Sequence, residues 1–307
     1  MLGIKFAMSI FGSGDGATIT SSLATRWFSC FMLNPQPTTA PLSFTPHEMV
    51  PRKQKVVFFD LMGTCCDWLS SLLPLLRSCP SHPSLSPPDT ALRALAIAWR
   101  EGFFAEIHAR FASGVGAEDI DLTHRRVLDR LLEERGIGIG HWDNDVRNEL
   151  VDRWHRQTPW PDALPGLEQL REDGRWFLVV LANGTTRLQL DIAQSSNLPF
   201  HMLLSSELLG LTKPDLAIYR RAMELVRVSS EDCFMLASHL YDLEAAKAAG
   251  LRTIYVHRTT EDVDTEYVDL SGRHHYVDLY FDGRSACMGD DRVGLMAAAT
   301  HLIQREP

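Results

Sequence analysis

Short apolar runs alternate with helical patterns through the second half of the chain. Runs of this kind, without polar alternation, are typical of strands covered on both faces. Each run is followed by residues whose apolar positions recur at helical spacing. These repeated strand–helix units predict a doubly wound parallel sheet. The predicted strands are 56–59, 177–183, 201–206, 233–238 and 253–258, and the predicted helices are 186–196, 215–227 and 240–249.

A block of helical patterns separates the first predicted strand from the others. Within it, a proline-rich loop ends at Asp89 and Thr90, either of which is a suitable N-cap for the next helix. The patterns lie at 69–76, 92–103, 118–135 and 143–157. Because the block interrupts the strands of the sheet, we expect an α/β fold with an inserted helical cap. The core would comprise residues 51–66 and 165–307, and the cap residues 67–164.

The two ends of the chain differ from its middle. Residues 1–50 are rich in proline and in small, hydroxyl-bearing residues, which predicts a disordered or dispensable extension. Few acids and scattered basic residues leave an organellar targeting segment as the alternative. We therefore expect a cytoplasmic protein, or a mitochondrial one if the extension is a transit segment. Near the other end, 276–283 predicts an edge strand and 294–304 a final helix.

Charge and motifs narrow the classes of function. The net charge of -9 disfavours nucleic acid or an anionic membrane as the main partner. No apolar run reaches the roughly 18 residues of a membrane-spanning helix. The cysteines lack the spacing of a metal or redox site, and no G-x-S-x-G, Walker A or H-E-x-x-H motif is present. We expect the partner to be a small-molecule substrate.

Polar residues follow the predicted strands one after another. In open α/β sheets, ligands bind at the carboxyl ends of the strands. A carboxylate there can attack carbon or phosphorus to form an ester, and a nearby lysine keeps it ionised. Each residue alone could be a turn or capping residue, but their order on successive strand ends favours a site. They are Asp60, then Asn183-Gly184, then Lys213, then Ser238-His239 with Asp242.

Four segments resemble the haloacid dehalogenase-like superfamily in order and spacing. They are FFDLMGT, VLANGT, TKPDLAIY and ASHLYDLEAAKAAG, within residues 54–258. The resemblance implies a hydrolase with a Rossmann-like core and a helical cap that emerges just after the nucleophile. Within the superfamily, the chain is most similar to the type II 2-haloacid dehalogenases.

The dehalogenase resemblance implies roles for individual residues. Asp60 would be the nucleophile, Lys213 and Asp242 would balance its charge, and Arg100 of the cap would face the leaving group. The residues expected to bind substrate are Leu61, Met62, Thr64, Asn183, Gly184, Tyr219, Ser238 and His239. Enzymes of this type work without a metal, so no cofactor is expected. Related enzymes often pair through the cap, which leaves a homodimer open.

Four positions depart from the motifs of the family. Met62 stands where the superfamily's phosphatases carry a second aspartate that protonates the leaving oxygen, and where the dehalogenases carry tyrosine. A halide needs no proton, so Met62 favours carbon–halogen chemistry. Ala182 and Ala237 replace serines, and His239 replaces an asparagine. These losses leave the identity of the substrate open.

Two other functions are therefore kept as alternatives. One is a phosphatase acting on a small organic phosphate, with Mg²⁺ held by Asp60, Asp242 and the backbone carbonyl of Met62. It would need Asp67 or His239 as a replacement acid. The other is a binding protein that has lost turnover, against which the retention of Asp60, Lys213 and Asp242 argues.

Overall fold

The computed structural model describes residues 54–116, 118–265, 268–285 and 290–306, so the extension predicted for residues 1–50 lies outside it. Within these ranges the backbone forms eight strands. They are β1 (Lys55–Phe59), β2 (Cys66–Asp67), β3 (Thr158–Pro159), β4 (Trp176–Ala182), β5 (Met202–Ser205), β6 (Cys233–Ala237), β7 (Arg252–His257) and β8 (Leu279–Asp282).

Six of these strands form one parallel sheet in the order β5-β4-β1-β6-β7-β8. The chain builds outward from β1 on one side and then returns to build outward on the other. This is the strand order of a Rossmann-like doubly wound fold, and the order reverses beside β1. The predicted α/β fold is thus confirmed, and the carboxyl end of β1 lies where such folds bind ligands.

Ten helices accompany the sheet in the same ranges. None of the described helices combines the length and apolar character needed to cross a membrane. The helices are α1 (Trp68–Ser78), α2 (Pro88–Ala112), α3 (Ile120–Glu134), α4 (Asn144–Asp152), α5 (Ala163–Asp173), α6 (Thr186–Ser196), α7 (Ser206–Leu209), α8 (Leu216–Val226), α9 (Leu240–Ala248) and α10 (Gly294–Arg305).

Both faces of the sheet are covered by helices. All five residues of β1 are buried, and their side chains alternate between the faces. Val57 and Phe59 belong to a cluster with apolar residues of α5, α6 and α10. Val56 and Phe58 belong to a second cluster with residues of α8 and α9. This double burial is why the strand has an unbroken apolar sequence.

The cap consists of α1 to α4 and has an apolar cluster of its own. Trp68, Trp99 and Trp154 are almost fully buried in it, together with leucines of all four helices. The chain leaves the core and returns to it through a two-stranded antiparallel ribbon, in which Cys66 pairs with Pro159 and Asp67 with Thr158. The domain boundaries predicted at residues 66 and 165 remain predictions.

A few local predictions require correction. The helix expected to be capped by Asp89 or Thr90 begins at Pro88, because proline already has a helical φ and the first turn needs no N–H from it. The pattern at 143–157 splits into α4 and a 3₁₀ turn, Arg153–His155, before the chain enters β3. The predicted edge strand and final helix are present as β8 and α10.

Candidate active site

Asp60 directly follows the central strand and is nearly buried. Its backbone N–H donates to the carbonyl of Leu236 in β6 at 3.0 Å, which continues the strand pairing up to the side chain. The chain then turns at Gly63, whose φ of +86° suits glycine. This turn brings the Thr64 hydroxyl back to donate to Asp60 Oδ2 at 2.7 Å. The Ser238 N–H donates to the same hydroxyl at 2.9 Å and fixes it.

Lys213 joins Asp60 to a second buried carboxylate. Its ammonium lies 2.9 Å from Asp60 Oδ1 and 2.5 Å from Asp242 Oδ2. The Tyr219 hydroxyl donates to the other oxygen of Asp242 at 2.6 Å. Burial alone would lower the pKa of Lys213, but the two carboxylates raise it above its ordinary value, so the ammonium stays charged. Asn183 positions this lysine by hydrogen bonds to its backbone N–H and carbonyl.

His239 lies on the opposite side of Asp60, between two carboxylates. Its Nδ1 is 3.2 Å from Asp60 Oδ2 and its Nε2 is 2.7 Å from Glu261 Oε2. Burial lowers the pKa of His239, but hydrogen bonds to the two carboxylates more than offset it and raise the pKa to about 10. Burial likewise raises the pKa of Asp60, but Lys213 and His239 hold it well below its ordinary value. The carboxylate of Asp60 is therefore ionised at neutral pH.

Glu261 was not among the site residues predicted from the sequence. It is only 4% exposed, accepts a hydrogen bond from Trp68 Nε1 at 2.6 Å, and has its pKa lowered by His239 and Arg100 in spite of burial. It belongs to none of the segments that carry the family resemblance. One signal was available, because Glu261 follows the carboxyl end of β7 and so obeys the same strand-end rule as the other candidates.

Arg100 reaches the site from the cap helix α2. Its guanidinium contacts Met62 twice, with Nη1 2.9 Å from the sulfur and Nη2 3.4 Å from the backbone carbonyl. It also lies 4.3 Å from the ring centroid of Phe104 and 3.8 Å from Glu261 Oε2. Its Nε has no hydrogen-bond partner among the described residues, so this arginine keeps a donor for a ligand.

A small cavity of about 50 Å³ lies between these side chains and the cap. Most of its remaining wall is apolar and includes Phe103, Phe104 and Ile107 of α2 and Ile192 of α6. The predicted site residues on the cavity are Asp60, Leu61, Met62, Arg100, Asn183, Lys213 and His239. A small and mostly apolar cavity with a few convergent polar groups is the usual form of a small-molecule site.

The other predicted residues do not line this cavity. Thr64 holds Asp60, and both Asp242 and Tyr219 lie behind Lys213. The Ser238 hydroxyl donates to the carbonyl of Val256, and the Gly184 N–H donates to the hydroxyl of Ser206. Their hydrogen-bonding groups are thus committed to the protein. The expectation that Thr64, Gly184, Tyr219 and Ser238 contact substrate directly therefore finds no support in the geometry.

Three polar residues on the cavity were not predicted, namely His124, Gln189 and Tyr241. His124 of α3 is fully buried, and its ring stacks between Phe103 at 3.9 Å and Trp154 at 4.4 Å. Neither ring nitrogen has a hydrogen-bond partner among the described residues, and the same holds for Oε1 of Gln189. Burial and the charge of Arg100 hold the pKa of His124 well below its ordinary value. A neutral imidazole therefore faces Asp60 from the cap.

The oxygens that Mg²⁺ would need already accept hydrogen bonds. Both carboxylate oxygens of Asp60 are occupied, one by Lys213 and the other by Thr64 and His239. Those of Asp242 accept from Lys213 and Tyr219, and the Met62 carbonyl faces the Arg100 guanidinium. Mg²⁺ needs oxygen ligands at about 2.0–2.1 Å in octahedral geometry. These residues do not fit the ion, because two cations point at the place it would occupy.

Comparison with known proteins agrees with the fold and with the family resemblance. A family model described as haloacid dehalogenase-like hydrolase matches residues 54–250. The chain therefore belongs to the haloacid dehalogenase-like hydrolase family. The resemblance given by the four segments is thus confirmed.

Similar proteins include both dehalogenases and phosphatases. (S)-2-haloacid dehalogenase 1 of Pseudomonas sp. (strain CBS-3) is 26% identical over 187 residues, which cover 60% of this chain and 79% of the dehalogenase. The phosphoglycolate phosphatase of Chromobacterium violaceum is 25% identical over 224 residues, covering 71% and 91%. The solved L-2-haloacid dehalogenase PA0810 has 27% identity and a TM-score of 0.66, covering 81% and 98%. These similarities therefore do not distinguish a dehalogenase reaction from a phosphatase reaction.

Proposed function

We propose that this chain is a metal-independent hydrolase that removes halide from a small halo acid. In the first step, Asp60 attacks the carbon that bears the halogen and forms an aspartyl ester. Water then cleaves the ester and releases a hydroxy acid. The observation that carries the proposal is the buried Asp60 carboxylate beside this small cavity, in contact with Lys213, which helps to hold its pKa well below the ordinary value. An ionised carboxylate is the form that can act as a nucleophile.

The methionine at position 62 supports carbon–halogen chemistry. A halide departs with the bonding electrons as a stable anion, so no proton donor is needed at the position of Met62. Arg100 lies beside Met62, and its unpartnered Nε is available to the departing anion or to the substrate carboxylate. A fixed cation aimed at developing negative charge lowers the barrier without reorganisation of solvent.

The shape of the cavity supports a short substrate. A volume of about 50 Å³ admits only a few non-hydrogen atoms. The apolar wall formed by α2 and α6 suits the carbon and halogen atoms, whereas the cationic side suits a carboxylate. Haloacetates and 2-halopropionates combine these features in the smallest possible molecules.

A phosphatase is the second candidate, and one observation favours it. His239 Nδ1 lies 3.2 Å from Asp60 Oδ2, and its raised pKa favours the protonated ring, so it could protonate a leaving oxygen in place of the missing aspartate. Asp67, the other candidate acid, caps α1 by accepting from the Ser70 N–H instead. The candidate ligands of Mg²⁺ are already engaged by Lys213 and Arg100, and for this reason we rank the phosphatase below the dehalogenase.

A substrate panel tests the proposal. Halide and phosphate release are measured with haloacetates, 2-halopropionates and small phosphate esters, each with and without EDTA. We expect halide release that EDTA does not change and that Asp60→Asn abolishes. Asp145→Asn, the same change at an exposed position of the cap helix α4, is the matched control and should keep full activity. Phosphate release that requires Mg²⁺, with no halide release, would replace the dehalogenase by the phosphatase.

A further inference from the structure

His239 and Glu261 extend the site beyond the residues that the family motifs contain. His239 contacts the Asp60 carboxylate through one ring nitrogen and the Glu261 carboxylate through the other. Both residues are almost fully buried, at 6% and 4% exposure. A nucleophile, a histidine within hydrogen-bond reach and a third group that orients the histidine form the arrangement of a catalytic triad.

Glu261 is held in place by the turn that presents Asp60. A side chain at Gly63 would place its first carbon 2.4 Å from the carboxyl carbon of Glu261, so only glycine lets the two approach. Trp68, the first residue of α1, donates to one Glu261 oxygen, and His239 faces the other. The position of the glutamate is therefore fixed from three directions. Such fixed geometry is what a residue that orients a histidine requires.

A second, more open groove lies on the His239 side of the site. This groove of about 470 Å³ runs between α2 and the loop 259–265, and it is lined by His239, Tyr241 and Glu261 among others. His239, Arg100 and Phe104 line both this groove and the small cavity beside Asp60. The histidine thus lies at the boundary between the place for substrate and a place open to solvent.

We propose that His239 is the general base that takes a proton from water when the aspartyl ester is hydrolysed, and that Glu261 is its positioning residue. This inference rests on the proposed function, because it requires an ester on Asp60. Nothing in the family motifs calls for a histidine at this position, where the dehalogenases carry an asparagine.

Each proton that His239 releases or accepts is accounted for over one turnover. When Asp60 attacks, the carbon–halogen bond breaks and the halide leaves with its electron pair. The ester carries no charge, so His239 loses one of its two anionic neighbours and releases its proton to solvent. Neutral His239 then accepts a proton through Nδ1 as the water oxygen bonds to the carboxyl carbon of Asp60.

The collapse of the tetrahedral intermediate restores the enzyme. The bond between the Asp60 carboxyl carbon and the substrate oxygen breaks, and His239 returns its proton to that oxygen. The new carboxyl group of Asp60 then gives its own proton to His239, and the starting charges are restored. The sum is the halo acid plus water giving the hydroxy acid, halide and one proton.

No other described residue in contact with Asp60 can serve as this base. Lys213 is protonated, and Asp242 has both oxygens engaged by Lys213 and Tyr219. The Thr64 hydroxyl donates to Asp60 and accepts from a backbone N–H. His239 alone among them both contacts Asp60 and changes charge when Asp60 is esterified.

The proposal predicts that the rate of ester hydrolysis rises with pH. The charged and titratable groups around His239 set the pH at which this rise occurs. Those that face His239 are Asp60 at the end of β1, Arg100 and His108 of α2, Tyr241 of α9, and Glu261 and Asp262 after β7. Asp60 and Glu261 favour the protonated ring, whereas Arg100 opposes it. Loss of the Asp60 charge on ester formation therefore lowers the pKa of His239 toward neutral.

His239→Gln is the first test. Halide release and the intact mass of the protein are followed after mixing with excess chloroacetate, with Asp145→Asn as the control. We expect a burst of about one halide per enzyme and a protein that carries one carboxymethyl group on Asp60. Ester hydrolysis should slow by roughly 100- to 10,000-fold, the usual contribution of a general base. Turnover near that of the wild type, or loss of the burst together with turnover, would overturn the proposal.

Glu261→Gln is the second test and does not depend on the first variant folding. Removal of the anion lowers the pKa of His239, so the ascending limb of kcat against pH should move to lower pH with a reduced plateau. A residue with a merely structural role would lower kcat without moving the limb, and that result would contradict the assignment. If the wild type releases no halide and forms no adduct, the proposed function itself fails, and this outcome differs from either variant result.

Discussion

The two sides of Asp60 are built in different ways. On the core side, Lys213, Asp242 and Tyr219 form a buried hydrogen-bonded series that ends on Asp60. On the cap side, His239 directly precedes the core helix α9 and Arg100 lies on the cap helix α2, and both line a groove. The core side is a fixed arrangement of charge, whereas the cap side keeps unpartnered donors for ligands.

This difference assigns different roles to the two sides. A buried and fully paired charge network holds one geometry and one protonation state, which suits the task of keeping Asp60 ionised. A group that must exchange protons or contact substrate cannot be sealed in this way. Changes on the core side should therefore affect folding and activity together, whereas changes on the cap side should affect particular steps.

The largest effect is expected on the core side, for Lys213→Met. The substitution leaves Asp60 and Asp242 as neighbouring buried carboxylates without a cation between them. Loss of one partner of a buried ion pair lowers the free energy of unfolding by about 3–5 kcal/mol. Activity should fall below detection, because Asp60 is no longer held as an anion. Urea unfolding and halide release measure the two effects.

Lys247→Met is the matched control for this substitution. Lys247 pairs with Asp278 near the surface, with side chains 38% and 29% exposed, so its loss should cost at most about 1 kcal/mol. A Lys213→Met protein as stable as this control would show that the core side is not a constrained network.

The core side is also the part of the site that the sequence could predict. Asp60, Asn183, Lys213 and Asp242 each follow a strand, and parallel strands bring their carboxyl ends to one edge. The same reasoning predicted the sheet, since unbroken apolar runs and helical periods are local properties of the chain. Only its bounds moved, as when the predicted strand 177–183 became Trp176–Ala182.

The cap side could be predicted only in part, for a physical reason. Arg100 was expected from the resemblance to the dehalogenases, but His124 and Glu261 were not. His124 lies on the cap helix α3, and its contact with the cavity depends on how the cap lies over the core. The apolar periodicity of a single segment does not determine how the cap lies over the core. Glu261 lies in an irregular loop, where sequence spacing does not determine which direction a side chain takes.

His124→Phe should have an intermediate effect that separates binding from stability. Phenylalanine keeps the stack between Phe103 and Trp154 and removes two ring nitrogens that have no partner among the described residues. An unpaired buried polar group costs about 1–3 kcal/mol, so the variant should be as stable as the wild type or more stable. If the imidazole binds substrate, KM should rise by up to about tenfold, the value of one hydrogen bond.

Steady-state kinetics and urea unfolding of the same preparation check this prediction. A variant with unchanged KM and unchanged kcat would show that the His124 imidazole does not bind substrate. Leu128→Val, a conservative change in the buried core of the same helix, is the control, and it should lower stability without raising KM.

The smallest effect concerns His155, which ties the cap to the core. Its ring contacts Asp121 of the cap helix α3 at 3.0 Å and Asp191 of the core helix α6 at 2.8 Å. Hydrogen bonds to Asp121 and Asp191 raise the pKa of His155, although burial opposes them. Because the pKa is higher in the folded state, the stabilisation is fully present below the unfolded pKa of about 6.5. It is lost as pH rises through the folded pKa.

His155→Gln should thus cost about 1 kcal/mol at pH 6 and less at pH 9, as measured by urea unfolding. An equal cost at both values would mean that the ring acts through packing alone, and that charge does not hold the cap on the core.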